Sequence, residues 1–213
     1  MNSYFICILM SAISTYFMTK LAIGLSKKAA FYDVPRGRNM HEKPTPVLGG
    51  LALLISISVN ILMFAQWEWG PVMIGGIGAV FIFLIGLYDD KYAIQPWLKI
   101  GLQSIVITWL FLNGIRIDYI TWPTSASPVF FTSAISFIIT QFWMMIIINM
   151  FNIIDGIDGL AVGISCLTSI MLFFVSLSVS PVIVTYLLCT IIGSTGMFLK
   201  FNFYPAKIFL GDS

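Results

Sequence analysis

Charged residues are scarce in this sequence. Lys, Arg, Asp and Glu together make up 9% of its 213 residues, whereas 59% are hydrophobic. A soluble domain carries about 25% charged residues, so a water-facing globule is excluded and the chain reads as an integral membrane protein. Histidine occurs once, as His41, and cysteine three times. Cys7, Cys166 and Cys189 all fall inside apolar runs without metal-ligand spacing, so they read as small core residues and do not report a redox compartment. Ser/Gly-rich linkers, low-complexity tracts and internal repeats are missing too. That favours one membrane-embedded domain over residues 1–213 rather than two domains. The first apolar run has no charge before Lys20 and lacks the basic start of a cleavable signal peptide. A retained transmembrane helix is expected there.

What the sequence does have is long apolar runs. Seven are long enough to span a bilayer, or nearly so: roughly 3–25, 47–66, 71–88, 98–115, 130–150, 159–178 and 181–199. Asn113 and Gly114 interrupt the end of the fourth. The expected fold is all-α, a polytopic membrane helix bundle of about seven transmembrane helices. In this topology Lys20, Lys27, Lys28, Arg36, Arg38, Lys43, Lys91, Lys99, Lys200 and Lys207 fall on one side, and only Arg116 falls on the other. Basic residues collect on the cytoplasmic side, so that side is read as cytoplasm and the N-terminus as outside. Seven of the nine acidic residues follow the basic ones, leaving Glu68 and Asp118 outside. Trp67, Trp69 and Trp122 lie in or beside the outer turns, where an aromatic belt would place them.

Four polar constellations collect on the basic side. The most informative is Asn149-Met-Phe-Asn-Ile-Ile-Asp-Gly-Ile-Asp-Gly-Leu160, set between two apolar runs. Asn149, Asn152, Asp155 and Asp158 recur every third residue, so neighbouring pairs share one side of a helix. All four drift too far round to share one point on a straight helix, and Gly156 and Gly159 sit where it would break. Carboxylates are costly in hydrocarbon, about 2.5–3.5 kcal/mol each at the bilayer centre and less near its surface. A compensating cation or hydrogen-bond donor is therefore expected. The bland alternative is a polar loop capped by Asp and Gly; the functional reading is a metal or phosphate site at the membrane surface.

The second constellation, Asp33 to Gly50, holds Arg36, Arg38, His41 and Lys43, with Pro35, Pro44 and Pro46 stiffening it. Guanidinium and ammonium groups suit phosphate oxygens, although a positive-inside loop touching lipid headgroups explains the charges equally well. Gly49-Gly50 reads more readily as a helix-packing pair than as part of a reaction site. The third is Asp89-Asp90, directly after the third span. Adjacent carboxylates repel, and Mg²⁺ held by one or two carboxylates plus substrate phosphates is the usual compensation. The alternative is a helix end with Lys91 as partial counter-ion, weakened because acids at a helix C-terminus oppose its dipole. Lys99 alone reads as a snorkelling anchor. The fourth runs from Asn202 to Ser213, with Asp212 after a glycine and Phe209 nearby. Together these describe a site on the cytoplasmic face for an anionic, metal-bridged substrate such as a nucleotide diphosphate, with apolar spans available to a lipid co-substrate.

In this order, Asp89-Asp90, Asn149-x-x-Asn152-x-x-Asp155-Gly-x-Asp158-Gly and Phe209-Leu-Gly-Asp212-Ser213 resemble the polyprenyl-phosphate N-acetylhexosamine-1-phosphate transferases. The resemblance runs from about Asp33 to Ser213. The loop Asp33-x-Pro to Gly50 is more similar to the hexosamine branch than to the related phospho-N-acetylmuramoyl-pentapeptide transferases. It implies a bacterial cytoplasmic-membrane enzyme in which a polyprenyl phosphate, such as undecaprenyl phosphate, attacks a UDP-N-acetylhexosamine such as UDP-GlcNAc. UMP leaves, as the first membrane step of surface polysaccharide synthesis. By the same resemblance Asp212 ligates Mg²⁺, with Mn²⁺ as a substitute, and Asp89 or Asp90 orients or deprotonates the lipid phosphate or assists the metal. Asn152, Asp155, Asp158 and Asn202 shape the nucleotide-sugar pocket, Lys43 and Phe209 approach the uracil, and Lys99, Arg38 and His41 meet the lipid phosphate. A phosphate monoester has a second pKa of about 6, so the nucleophile is largely ionised at neutral pH. Orientation with direct attack is therefore favoured over obligatory base catalysis or an aspartyl-phosphate. Partners implied are the two substrates and the bilayer, with no nucleic acid; a homodimer is compatible.

Family members continue beyond the Gly-Asp-Ser motif into further helices and a His- and Arg-rich loop that helps choose the sugar. The chain is expected to be the N-terminal part of a longer protein, and these 213 residues alone need not be active. A transporter is the competing class, but its acids belong near the bilayer midplane on broken helices. CDP-alcohol phosphotransferases and prenyltransferases also use paired acids, yet a second aspartate motif of their kind is missing.

Overall fold

The computed structural model describes residues 2–29, 32–33, 45–64, 69–122, 127–179 and 181–211. Among these described residues seven helices carry the architecture: α1 (Asn2–Ala29), α2 (Gly49–Phe64), α3 (Trp69–Tyr92), α4 (Pro96–Leu112), α5 (Ser133–Ile154), α6 (Leu160–Val179) and α7 (Val182–Asn202). Two short antiparallel pairs join them. β1 (Tyr32–Asp33) pairs with β2 (Thr45–Pro46), and β3 (Tyr119–Ile120) with β4 (Val129–Phe130). Five helices are long and apolar enough to cross a membrane: α1, α3, α5, α6 and α7. The other two, α2 with 16 residues and α4 with 17, are apolar but shorter. Pro96 opens α4, where a missing N–H costs nothing, and Asn113-Gly114 ends it, with Gly114 at φ 90°.

The outside of the bundle is greasier than the inside. Along α1, Phe5, Leu9, Ile13, Phe17, Leu21 and Leu25 are exposed at near-helical spacing. The opposite stripe of Cys7, Ser11, Thr15, Thr19, Ala22 and Ser26 is buried against neighbouring helices. Hydrocarbon solvates large apolar side chains as well as a protein core does, so helix contacts in a membrane favour small and weakly polar groups that let backbones approach. This inverted pattern is that of a multi-pass membrane protein.

Contacts between helices fix their directions. In α1 and α2, Ser14 meets Asn60 while Ala22 and Ala52 share one core cluster, so the two are antiparallel. Cys7 reaches Tyr186 and Tyr16 meets Phe201, so α1 and α7 are parallel. Ser176 meets Thr185, and Gly159 meets Asn202, which sets α6 against α7. The pairs Asp89–Lys99 and Gln103–Asn149 do the same for α3 with α4 and α4 with α5. Helices α1, α2, α6 and α7 form one close group, with α3, α4 and α5 as a row beside it. A small core of Ala22, Leu48, Ala52, Val162, Phe198, Phe201 and Ile208 closes the first group at one end.

The consequence is that the end of α3, the turn between α5 and α6, the segment after α7 and the start of α2 all lie at one end of the bundle. Lys20, Lys28, Lys91, Lys99, Lys200 and Lys207 lie toward that end, and Arg116 lies at the other. Several boundaries differ from the sequence expectation, two of them at the acidic end. Helix α3 runs through Asp89-Asp90 to Tyr92, because Lys99 from α4 neutralises the acid that the helix dipole would disfavour. Helix α5 runs to Ile154, so Asn152 is helical rather than part of the loop. The connection between α4 and α5, expected as plain loop, contains the β3–β4 hairpin. Trp122 is exposed beside that hairpin, Trp69 opens α3, and Trp67 lies outside the described residues.

Candidate functional site

Asp89 stands in the last turn of α3. Its carbonyl accepts from the N–H of Ala93 (2.8 Å), its Oδ1 from the N–H of Ile94 (3.0 Å) and its Oδ2 from Nζ of Lys99 (2.7 Å). Ala93 sits at φ 48°, in the left-handed region that helix ends usually fill with glycine. The Asp89 and Lys99 side chains are 15% and 13% exposed, so this is a sheltered ion pair at the membrane edge. Sequence reasoning offered Lys91 as counter-ion. Instead Lys91 Nζ lies 5.2 Å from the centre of the Tyr92 ring, and it is Lys99, ten residues on, that pairs with Asp89. Two residues given separate roles by resemblance are thus one unit. Asp90 is exposed on the same turn.

The α5–α6 turn is built around Asp155, the C-cap of α5, and Gly159, which takes φ 73°. Positive φ there is affordable only without a Cβ. Asn202, at the end of α7, braces this turn: its Oδ1 accepts from the Gly159 N–H (3.1 Å) and its Nδ2 donates to the Ile208 carbonyl (3.0 Å). Asp158 completes the brace, with Oδ2 accepting from the Ala206 N–H at 3.0 Å. Asn202 is 1% exposed. The resemblance implies a place in the nucleotide-sugar pocket; in the structure both ends of its amide are engaged by backbone, and it holds two segments of the site together.

The segment beyond the brace returns to α2. Phe209 N–H donates to the Pro46 carbonyl (2.8 Å), while Gly49 and Gly50 N–H donate to the carbonyls of Phe209 (3.0 Å) and Leu210 (2.8 Å). Two of the four N–H groups that a helix start leaves without partners are thereby satisfied. A Cβ on Gly49 would collide with the Phe209 carbonyl and the Phe198 ring. Gly49 is therefore needed for the close approach of the 209–210 backbone as well as for packing against α7. Phe209 itself is half-buried.

Asn149 faces the helix interior. Its Nδ2 donates to Gln103 Oε1 on α4 and to the Met145 carbonyl, both at 2.9 Å. Gln103, 1% exposed, was missed by sequence reasoning. It lies one helical turn beyond Lys99, which is the only sequence signal that associates it with the site. Further along the same interface Gln141 donates to Thr108 Oγ1 at 2.5 Å, so α4 and α5 are joined by uncharged polar groups through the bilayer depth. Asn152 is half-buried one turn nearer the acidic edge.

Arg38, His41, Lys43 and Asp212 lie outside the described residues, as does the side chain of Asp33. Among the described residues no three His, Cys, Asp or Glu side chains converge as a metal cage. What they offer is Asp89, Asp90, Asp155 and Asp158 at one edge, hard oxygen donors suited to a Mg²⁺ that takes few carboxylates and completes its shell with phosphates and water.

Comparison with known proteins places these residues in context. Residues 72–213 match the sequence profile described as Glycosyl transferase family 4. A probable undecaprenyl-phosphate N-acetylglucosaminyl 1-phosphate transferase of Bacillus subtilis is 30% identical over 208 residues, covering 98% of this chain and 58% of its own length. The undecaprenyl-phosphate alpha-N-acetylglucosaminyl 1-phosphate transferase of Thermotoga maritima is 32% identical over 202 residues, covering 95% and 58%. A phospho-N-acetylmuramoyl-pentapeptide-transferase of Dictyoglomus turgidum is 30% identical over 197 residues, covering 88% and 61%. The chain thus spans about three fifths of the length of these relatives.

Proposed function

Given that the chain belongs to glycosyl transferase family 4, we propose that the intact protein transfers N-acetylglucosamine 1-phosphate from UDP-GlcNAc to a polyprenyl phosphate and releases UMP. The observation that carries this reading is the convergence of four sequence-distant polar segments on one end of a membrane bundle. The Asp155–Gly159 turn, Asn202 to Gly211 and Pro46 to Gly50 are joined by the bonds described above, and the Asp89–Lys99 pair lies at the same end of the bundle. A lipid acceptor reaches this edge from the bilayer, and a water-soluble nucleotide reaches it from outside the bilayer. The excess of Lys and Arg at the same end supports placing it on the cytoplasmic face. Acids at an edge, with only uncharged polar groups through the depth of α4 and α5, favour transfer over ion transport.

Phosphoryl transfer depends on alignment and on neutralising charge at the phosphates. In this reading Lys99 meets the lipid phosphate, with Arg38 and His41 in support, and Asp89 orients Lys99. A carboxylate whose two oxygens already accept hydrogen bonds is better suited to orienting a cation than to attacking phosphorus, which supports direct attack by the lipid phosphate oxygen. Asp155 and Asp158 with Asn152 border the nucleotide, and Lys43 and Phe209 contact its uracil. Mg²⁺ would be held by Asp212 with Asp89 or Asp90, and when bound supplies charge neutralisation at the pyrophosphate. Asp89→Asn or Asp212→Asn in the intact protein is expected to abolish UMP release from UDP-GlcNAc in membranes containing polyprenyl phosphate. Full turnover by either variant would overturn the assignment. In vesicles lacking polyprenyl phosphate, nucleotide uptake without UMP release would favour a transporter instead.

A further inference from the structure

At the end of the bundle opposite the acidic edge, the β3–β4 hairpin shows apolar side chains on both faces. Tyr119 pairs with Phe130 and Ile120 with Val129, and successive strand residues point to opposite faces. One face is therefore Tyr119 with Phe130, their ring centres 5.5 Å apart, and the other Ile120 with Val129. All four are between 47% and 70% exposed, and Trp122 beside them is 62% exposed. The base of the hairpin is firmly tied to α5. Ile117 N–H donates to Thr140 Oγ1 (3.0 Å) and Ser136 Oγ donates to the Ile117 carbonyl (2.8 Å), while within the hairpin Phe131 N–H donates to the Asp118 carbonyl (2.8 Å). Only there do charges appear, as the Arg116–Asp118 ion pair.

A two-stranded hairpin is marginal in water unless it packs against a third strand or a helix, and both faces of this one are exposed among the described residues. We propose that the hairpin lies in the headgroup–acyl boundary of the leaflet opposite the acidic edge, as a lipid-immersed anchor that fixes the depth of the α4–α5 pair. Its surface continues the lipid-facing one: Leu112 at the end of α4 and Ile135 and Ile138 at the start of α5 are exposed on either side of it in the chain. Tyr and Trp are the residues enriched at that depth, with an apolar ring in the acyl region and a polar group at the headgroups. Arg116 and Asp118 mark the level at which the surface turns polar. The partner is thus a lipid surface, and the inference stands whether or not the transfer reaction does.

The test is nitroxide accessibility in the intact protein with Cys7, Cys166 and Cys189 replaced by Ser, reconstituted in phosphatidylethanolamine–phosphatidylglycerol vesicles. Labels at Phe130→Cys and Val129→Cys report the two faces, Ile138→Cys the bilayer, and Lys207→Cys the water side. At both hairpin positions collisions with O₂ are expected to exceed those with a water-soluble nickel chelate several-fold, as at Ile138. Chelate collisions matching those at Lys207, on either face, would place that face in water and overturn the proposal. Exclusion of both reagents, relieved as the lipid-to-protein ratio is raised, would overturn it in favour of a second copy or another protein as the cover.

Discussion

Replacing Asn202 by Leu removes the amide while keeping nearly the same shape. The N–H of Gly159 and the carbonyl of Ile208 then lose their partners, in surroundings where Gly159 is buried and Ile208 is 0% exposed. A stranded buried polar group costs about 1–3 kcal/mol, so two cost about 2–6, and the apolar surface that Leu buries returns about 1. A net loss of about 3 kcal/mol is expected. For a protein of this size that lowers Tm by about 6–12 °C, at about 2–4 °C per kcal/mol. The assay is thermal unfolding of the purified protein in detergent, followed by reaction of a thiol dye with Cys7 and Cys189, which are buried until the helices separate. UMP release by the same preparation is measured below the lowered midpoint. An Asn202→Leu protein that melts with the parent, yet releases no UMP, would refute the bracing argument and return Asn202 to direct contact with the nucleotide.

Three further outcomes follow from the same contacts. Gly49→Ala presses a methyl group on the Phe209 carbonyl and the Phe198 ring and is expected to destabilise by about 1–3 kcal/mol, read as a lower midpoint in the same thiol assay. Ala93→Gly removes the Cβ from a left-handed residue, where an L side chain costs about 1–2 kcal/mol. After the entropic cost of glycine, about 0.5–1 kcal/mol, the midpoint is expected to rise slightly with UMP release unchanged; a fall would mean that φ 48° at Ala93 is not strained. Gln103→Leu and Asn149→Leu are expected to be measurably non-additive, with a coupling of about 0.6 kcal/mol as for interhelical hydrogen bonds in a membrane. Strict additivity in the double variant would sink the bridge between α4 and α5.

The helices were legible because hydrophobic runs of this length have few alternatives, and α3 outran its expected end because Asp89 found a partner on the next helix. Asp89 shows why such ends mislead. Taken alone, an acid after an apolar run looks like a loop residue, and only Lys99 arriving from the next helix makes it a helical one. That the acids share one membrane edge was readable from the parity of the spans. How they are held was not: the Asn202 and Asp158 bonds link residues 43 and 48 positions apart, and nothing local to Asn202 distinguishes an amide that faces substrate from one that faces backbone. Gln103 was invisible for a similar reason, since a single glutamine in an apolar run becomes meaningful only once Asn149 is found opposite it. The β3–β4 hairpin escaped notice because two-residue strands are too short to show alternation.

The carbonyls that complete the first turn of α2 also impose an order on biogenesis. Leu210, which accepts from Gly50, leaves the ribosome 160 residues after it. At about 5–20 residues per second, α2 enters the bilayer with its leading amides unsatisfied and waits about 8–32 s for them to be met. The acidic end of the bundle is thus sealed only after α7 has been made, and until then a nascent chain holds that edge open.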